Sequence, residues 1–204
     1  MINKNSKIFI TGHKGLVGSS LYSLLQKKGY KNLIIRNRNQ LDLLDTKKVE
    51  NFFKKKKIDI IINCAAKVGG ILANSSSPVE FFYENVQMQN NLLMSANKHK
   101  VKRFIYLGSS CIYPKDTKTP IKEDQLLTGK LEKTNEAYAL AKISGIKLSE
   151  FLFYQKKQDI ICIMPTNLYG VNDNFEKFSS HVIPGMIAKF KSSKKNKKKF
   201  VELL

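Results

Sequence analysis

Short apolar runs alternate with longer amphipathic stretches along most of the chain. Lys7–Thr11, Asn32–Arg36, Ile58–Asn63, Arg103–Leu107 and Ile160–Met164 are brief, rich in isoleucine and bounded by turn residues. Such runs predict strands buried on both faces, as in a parallel sheet. Between them, Leu16–Lys28, Thr46–Lys56, Val79–His99, Glu136–Lys156 and His181–Lys191 read as helices. Pro78 suits a helix's first turn, where its missing N–H costs nothing. The β-α-β-α rhythm predicts an α/β fold of Rossmann type: a doubly wound parallel sheet with helices on both faces. Ser109–Asn135, with Pro114 and Pro120, is expected to be a long functional loop. Lys191–Lys199 reads as a polar surface loop or tail, and Phe200–Leu204 as the beginning of another strand.

Composition narrows the classes. At 204 residues the chain has material for one core and part of another. No apolar run approaches the roughly 18 residues of a membrane span. Ile8-Phe9-Ile10 is too short for a signal-peptide core, so a cytoplasmic protein with no membrane partner is expected. Cys64, Cys111 and Cys162 lie far apart with no CxxC or Cys/His spacing, which argues against both a disulfide framework and a metal site. The formal charge of +20 admits nucleic acid as a partner. Its lysines, however, are spread along the chain among Asn and Ile, a pattern of codon drift rather than a docking face, and no nucleic acid is expected. A basic surface still favours a phosphorylated substrate.

Thr11 is followed by Gly12, His13, Lys14, Gly15, Leu16, Val17 and Gly18, between the first strand and the first helix. Glycines at this spacing allow a tight turn, a close approach of backbone to a pyrophosphate and tight helix packing, while the helix N-terminus offers free N–H groups. This predicts a dinucleotide site. NAD binders usually carry an acid after the second strand for the ribose hydroxyls. Here the chain reads Arg36-Asn37-Arg38-Asn39, so Arg38 with Lys14 argues for a 2′-phosphate and hence NADP(H). Asp42 and Leu43 are placed near the adenine. Pro165, Thr166, Asn167 and Leu168 follow the fifth strand, at the carboxyl edge where open α/β sheets bind ligands, and are expected to border the nicotinamide.

Tyr138 and Lys142 stand four residues apart on one helix face. A lysine there is expected to lower the phenol's pKa, so that Tyr138 exchanges a proton nearer neutrality. Ser109 supplies a hydroxyl and Cys111 a thiol just after the fourth strand. A hydroxyl, a phenol and a lysine suit reduction or oxidation of a carbonyl with a nicotinamide.

The order glycine loop, Ser109, then Tyr138-Ala139-Leu140-Ala141-Lys142 resembles the extended short-chain dehydrogenase/reductase family. Ala65-Ala66-Lys67-Val68-Gly69-Gly70, Ser109-Ser110-Cys111-Ile112-Tyr113-Pro114, Pro165-Thr166-Asn167-Leu168-Tyr169-Gly170 and Ser180-His181-Val182-Ile183-Pro184 carry the resemblance to its GDP-L-fucose synthase branch, from about Lys7 to about Phe190. The resemblance implies NADPH-dependent 3,5-epimerisation and 4-reduction of GDP-4-keto-6-deoxy-D-mannose. It implies Cys111 and His181 as the epimerisation acid/base pair and Tyr138 as proton donor in the reduction, with Ser109 on the same oxygen and Lys142 also on the nicotinamide ribose. It places Leu107, Gly108 and His181 against the cofactor and Lys189 against the nucleotide sugar. It further implies a homodimer through helices 79–99 and 136–156. By the same resemblance, residues 1–170 form an NADP-binding domain and 171–204 begin a smaller substrate domain that is largely missing, leaving the isolated chain a very poor enzyme. The alternatives are another NAD(P)-dependent sugar-nucleotide epimerase or dehydratase, and an inactive dinucleotide-binding fragment.

Overall fold

The computed structural model describes residues 3–176, 179–197 and 200–201. Its five strands are β1 (Ile8–Thr11), β2 (Leu33–Ile35), β3 (Ile60–Asn63), β4 (Arg103–Leu107) and β5 (Ile160–Ile163). All pair in parallel, in the order β2-β1-β3-β4-β5. The helices are α1 (Leu16–Lys27), α2 (Thr46–Lys55), α3 (Ile71–Ser76), α4 (Pro78–Lys98), α5 (Glu136–Lys156) and α6 (Val182–Lys195). The Rossmann-type parallel sheet expected from the alternation is therefore present.

Successive strand residues point to opposite faces, and both faces are apolar. Phe9, Ile61, Phe104 and Tyr106 pack with Val49 and Phe53 of α2, Leu92 and Leu93 of α4, and Ile143 and Ile146 of α5. Ile8, Ile10, Ile60 and Ile62 face the other way, against Leu21, Tyr22 and Leu25 of α1. On that second face Ile161 and Ile163 of the outer strand β5 are 41% and 44% exposed. Asp45 caps α2 by accepting from Lys48 N at 2.9 Å, one of the few helix starts here closed by a side chain.

The chain reverses between β1 and β3: β2 lies to one side of β1, and β3 and its successors to the other. A buried relay holds that junction. Thr11 Oγ1 donates to Asn63 Oδ1 at 2.7 Å and accepts from Ala65 N at 3.0 Å. The loops leaving β1 and β3 consequently diverge from a fixed point, which opens the crevice typical of such sheets.

Four details differ from expectation. The six-residue helix α3 was not foreseen, because Ile71 and Leu72 are 65% and 66% exposed and form no buried stripe for periodicity to reveal. Ser109–Asn135 contains three 3₁₀ turns, Ser110–Ile112, Glu123–Gln125 and Lys133–Asn135. His181 caps its helix rather than joining it, and α6 runs on to Lys195 because exposed lysines are good helix formers. Phe200 and Val201 are not in a strand, and residues 202–204, on which the rest of that expectation fell, lie outside the described residues, as do 198 and 199.

Candidate active site

One cavity of about 1020 Å³ follows the carboxyl edge of the sheet. It runs from the glycine loop and the end of β2 past Ser109, Tyr138 and Lys142 to Pro165–Leu168 and His181.

Gly12 takes φ +63°, and a Cβ there would lie 2.7 Å from the backbone of Cys64. A Cβ on Gly18 would lie 2.2 Å from Gly12 O. The loop thus folds back on its own helix at a distance only glycine allows. Gly15 is the N-cap of α1 and has no side chain to close the helix, so the N–H groups of its first turn face the cavity end unpaired. That cradle fits a pyrophosphate. His13 and Lys14 line it too; burial, then the charge of Lys14, lowers the His13 imidazole pKa.

At the β2 end, Arg38 and Asp42 form an ion pair at 3.7 Å, with Arg38 largely exposed. Leu43 lies alongside. Arg36, which was quoted in the sequence motif but not chosen as a site residue, also lines this end. Its guanidinium donates to Ile35 O at 2.6 Å and sits 5.6 Å over the Phe52 ring.

Ser109 leaves β4 and Tyr138 and Lys142 rise from the first turns of α5, so β4–α5 packing decides their meeting. Lys142 is only 4% exposed. Its ammonium donates to Leu107 O at 2.8 Å and lies over the rings of Tyr106 and Tyr138, at 5.2 and 5.6 Å. Burial lowers its pKa to about 8. The expected lowering of Tyr138 is overturned. Burial, reinforced by the Cys111 thiol, raises the phenol's pKa, and a hydrogen bond with Ser109 offsets only part of this. The cation faces ring and backbone carbonyl, so it does not compensate for lost hydration of a phenolate. Cys111 donates to Ser109 Oγ at 3.2 Å, and burial raises its pKa as well, against the near-neutral exchange its unperturbed value suggested.

Two expected residues stand outside the cavity lining: Cys111, one side chain behind Ser109, and Lys189 on α6. The other site residues expected from sequence all line it. Among the described residues no group of His, Cys, Asp and Glu could hold a metal ion, and no helix is long and apolar enough to cross a membrane.

The family model described as "NAD dependent epimerase/dehydratase family" matches residues 8–203. The chain belongs to this family. It is 48% identical over 196 residues to GDP-L-fucose synthase 1 of Arabidopsis thaliana, spanning 96% of this chain and 61% of the relative. It is 47% identical over 184 residues to GDP-L-fucose synthase of Escherichia coli K12, spanning 90% and 57%. The solved GDP-mannoheptose C4 reductase from Campylobacter jejuni, with NADP bound, superposes with a TM-score of 0.88 at 36% identity, covering 95% of this chain and 57% of that one. The chain therefore spans about three-fifths of the length of these relatives.

Within this epimerase/dehydratase frame the cavity holds residues that sequence reasoning did not select. Lys67 and Glu84 form a half-buried ion pair at 2.6 Å in its wall. Asn74 and Cys64 also line it, the latter with its thiol pushed up to about 12 by burial, in keeping with a packing role. Lys67 and Gly69 belong to the quoted Ala65–Gly70 motif, which was the available signal. Glu84 and Asn74 gave none, since their proximity arises only when α3 and α4 fold over the loop.

Proposed function

We propose that this chain carries the cofactor domain and reacting groups of an NADPH-dependent enzyme that epimerises GDP-4-keto-6-deoxy-D-mannose at C3 and C5 and reduces it at C4, yielding GDP-L-fucose. The observation that carries the reading is the continuity of one cavity from the glycine cradle to Ser109, Tyr138, Lys142 and His181, with Cys111 bonded to Ser109. The similarity to the two synthases supports the same substrate. In this reading residues 1–170 form the cofactor domain and 171–204 begin the substrate domain. The length of the relatives beyond the part matched here would supply most of the grip on the sugar nucleotide, with Lys189 a contact on this side.

Gly12–Gly18 would hold the pyrophosphate, Arg38 with Lys14 the 2′-phosphate, Asp42 and Leu43 the adenine end. Leu107, Gly108, Pro165–Leu168, Lys142 and His181 would border the nicotinamide. When bound, NADPH supplies the hydride to C4. Tyr138, whose proton burial retains, protonates the C4 oxygen, and Ser109 donates a hydrogen bond to it. Cys111 and His181 remove and return protons at C3 and C5. Inversion requires an acid and a base on opposite sides of the ring.

The apolar outer faces of α4 and α5 support a homodimer. Val79 and Tyr83 are 72% and 59% exposed, Phe151 and Tyr154 60% and 70%. Sedimentation of the purified chain tests this. A cytoplasmic location fits the nucleotide-sugar substrate.

The test of function is NADPH oxidation with GDP-4-keto-6-deoxymannose, by the chain and by a version completed with the Escherichia coli relative's C-terminal segment. Turnover in the completed protein that falls by about 10²-fold or more in Tyr138→Phe supports the reading. NADPH binding without turnover in either protein overturns the substrate assignment.

A further inference from the structure

We infer that the loop Lys67–Gly70 is the seat of His181, and that Gly70 is the positioning residue for its imidazole; the inference builds on the proton-transfer role proposed above for His181.

The loop is held rigidly from behind. Asn85 of α4, only 3% exposed, accepts from Lys67 N at 2.9 Å and donates to Lys67 O at 3.0 Å and Phe81 O at 2.7 Å. The Lys67–Glu84 ion pair adds a second tie to the same helix. From the other side Asn74 Nδ2 donates to Gly69 O at 2.7 Å and Gly70 O at 3.1 Å, from a side chain that is 6% exposed. The Asn85 amide is bonded through both its oxygen and its nitrogen, and Asn74 holds the loop through Nδ2 while its buried Oδ1 has no partner among the described residues. Together they leave the loop little freedom.

That rigid loop carries the segment before α6. Gly70 N donates to Ser179 O at 3.0 Å. A Cβ on Gly70 would lie 2.5 Å from Ser180 O. Gly70 has φ −66°, a conformation open to any residue, so glycine is required by the approach of Ser180 and not by the backbone angle. The next residue, His181, caps α6 through its backbone, with Gly185 N donating to His181 O at 3.0 Å, and its side chain makes no capping bond. The imidazole is thereby left to line the cavity. From the first turn of α6, Gly185 approaches Ser180 Oγ, the rotatable end of that side chain, where a Cβ would lie 2.8 Å away. The Ser180 carbonyl is confined by Gly70, and His181 inherits its place.

Gly70→Ala adds one methyl group that the backbone accepts, so the Ser180 carbonyl must shift and His181 with it. The chain has three histidines, which imidazole proton–nitrogen spectra can resolve. In Gly70→Ala the His181 signals are expected to move while those of His13 and His99 stay, with NADPH still bound. Asn74→Ala, which removes the donors to Gly69 and Gly70, is expected to move the same signals. Solvent deuterium entry at C3 and C5 of GDP-4-keto-6-deoxymannose, with the chain at stoichiometric concentration, should slow by about 10²-fold in Gly70→Ala, the scale of a misplacement near 1 Å. Unchanged His181 signals in both variants overturn the inference. Shifted signals in a chain whose unaltered form exchanges no deuterium leave His181 seated by Gly70 and remove the proposed function instead.

Discussion

The Cys111 thiol donates to the Ser109 hydroxyl across 3.2 Å, joining the residue proposed for proton exchange to one proposed to hold the reducible oxygen. The two are linked electrostatically as well as spatially. Burial raises the Cys111 pKa, and the Ser109 hydroxyl, which can turn to donate to the thiolate, lowers it again. Ser109→Ala is therefore expected to raise the Cys111 pKa and slow its alkylation at pH 8 by several-fold, since only the thiolate reacts. Mass-spectrometric alkylation rates of the Cys111 peptide, with those of Cys64 and Cys162 as internal references, check this. A faster Cys111 in the variant would contradict it.

Lys142 makes stability depend on pH in a definite direction. Its folded pKa of about 8 lies below the ordinary lysine value, so between about pH 8 and 10.5 the unfolded chain binds more protons than the folded one. Stability contributed by this group rises with pH through that window, and below it the folded state bears the full cost of a buried ammonium. Lys142→Met removes a penalty of roughly 3 kcal/mol at most, offset by loss of the bond to Leu107 O. Thermal melts between pH 7 and 10 should show a smaller rise in Tm for the variant than for the unaltered chain.

Arg38 should decide between the two nicotinamides. Its guanidinium is largely exposed and paired only loosely, at 3.7 Å, with Asp42, so it can turn toward a phosphate at little cost. Arg38→Ala is expected to weaken NADPH binding by about 10- to 100-fold, the worth of a charge-assisted bond or two, with NADH affected far less. Fluorescence titration with each cofactor measures the ratio. Equal losses for both would show that Arg38 does not read the 2′-phosphate.

Gly18→Ala tests the cradle. The added methyl would fall 2.2 Å from Gly12 O and within 2.9 Å of the Gly12–His13 backbone, with no flexible side chain to yield. NADPH affinity should drop at least about tenfold, and stability by about 1–3 kcal/mol, as in other overpacked sites. Retained affinity in calorimetric titration would contradict a pyrophosphate seat here.

Much of this was legible in the chain itself. The isoleucine-rich runs determined five parallel strands because a strand buried on both faces must be largely apolar, as at Ile60, Ile61 and Ile62. The glycine spacing determined the cradle because a Cβ at Gly12 or Gly18 would lie only 2.2–2.7 Å from backbone, an approach that only glycine permits. Tyr138 and Lys142 share a face by helical geometry alone. Tertiary structure decided the rest. The fall in the Lys142 pKa and the rise at Tyr138 depend on how deeply α5 sinks against β4, since desolvation is a property of the folded interior and outweighs the local pairing that sequence displays. The Lys67–Glu84 pair and the contact of Gly70 with Ser180, 110 positions later, join residues with no common periodicity. Packing of α3, α4 and the segment before α6 brings them together, and no short stretch of the chain records it.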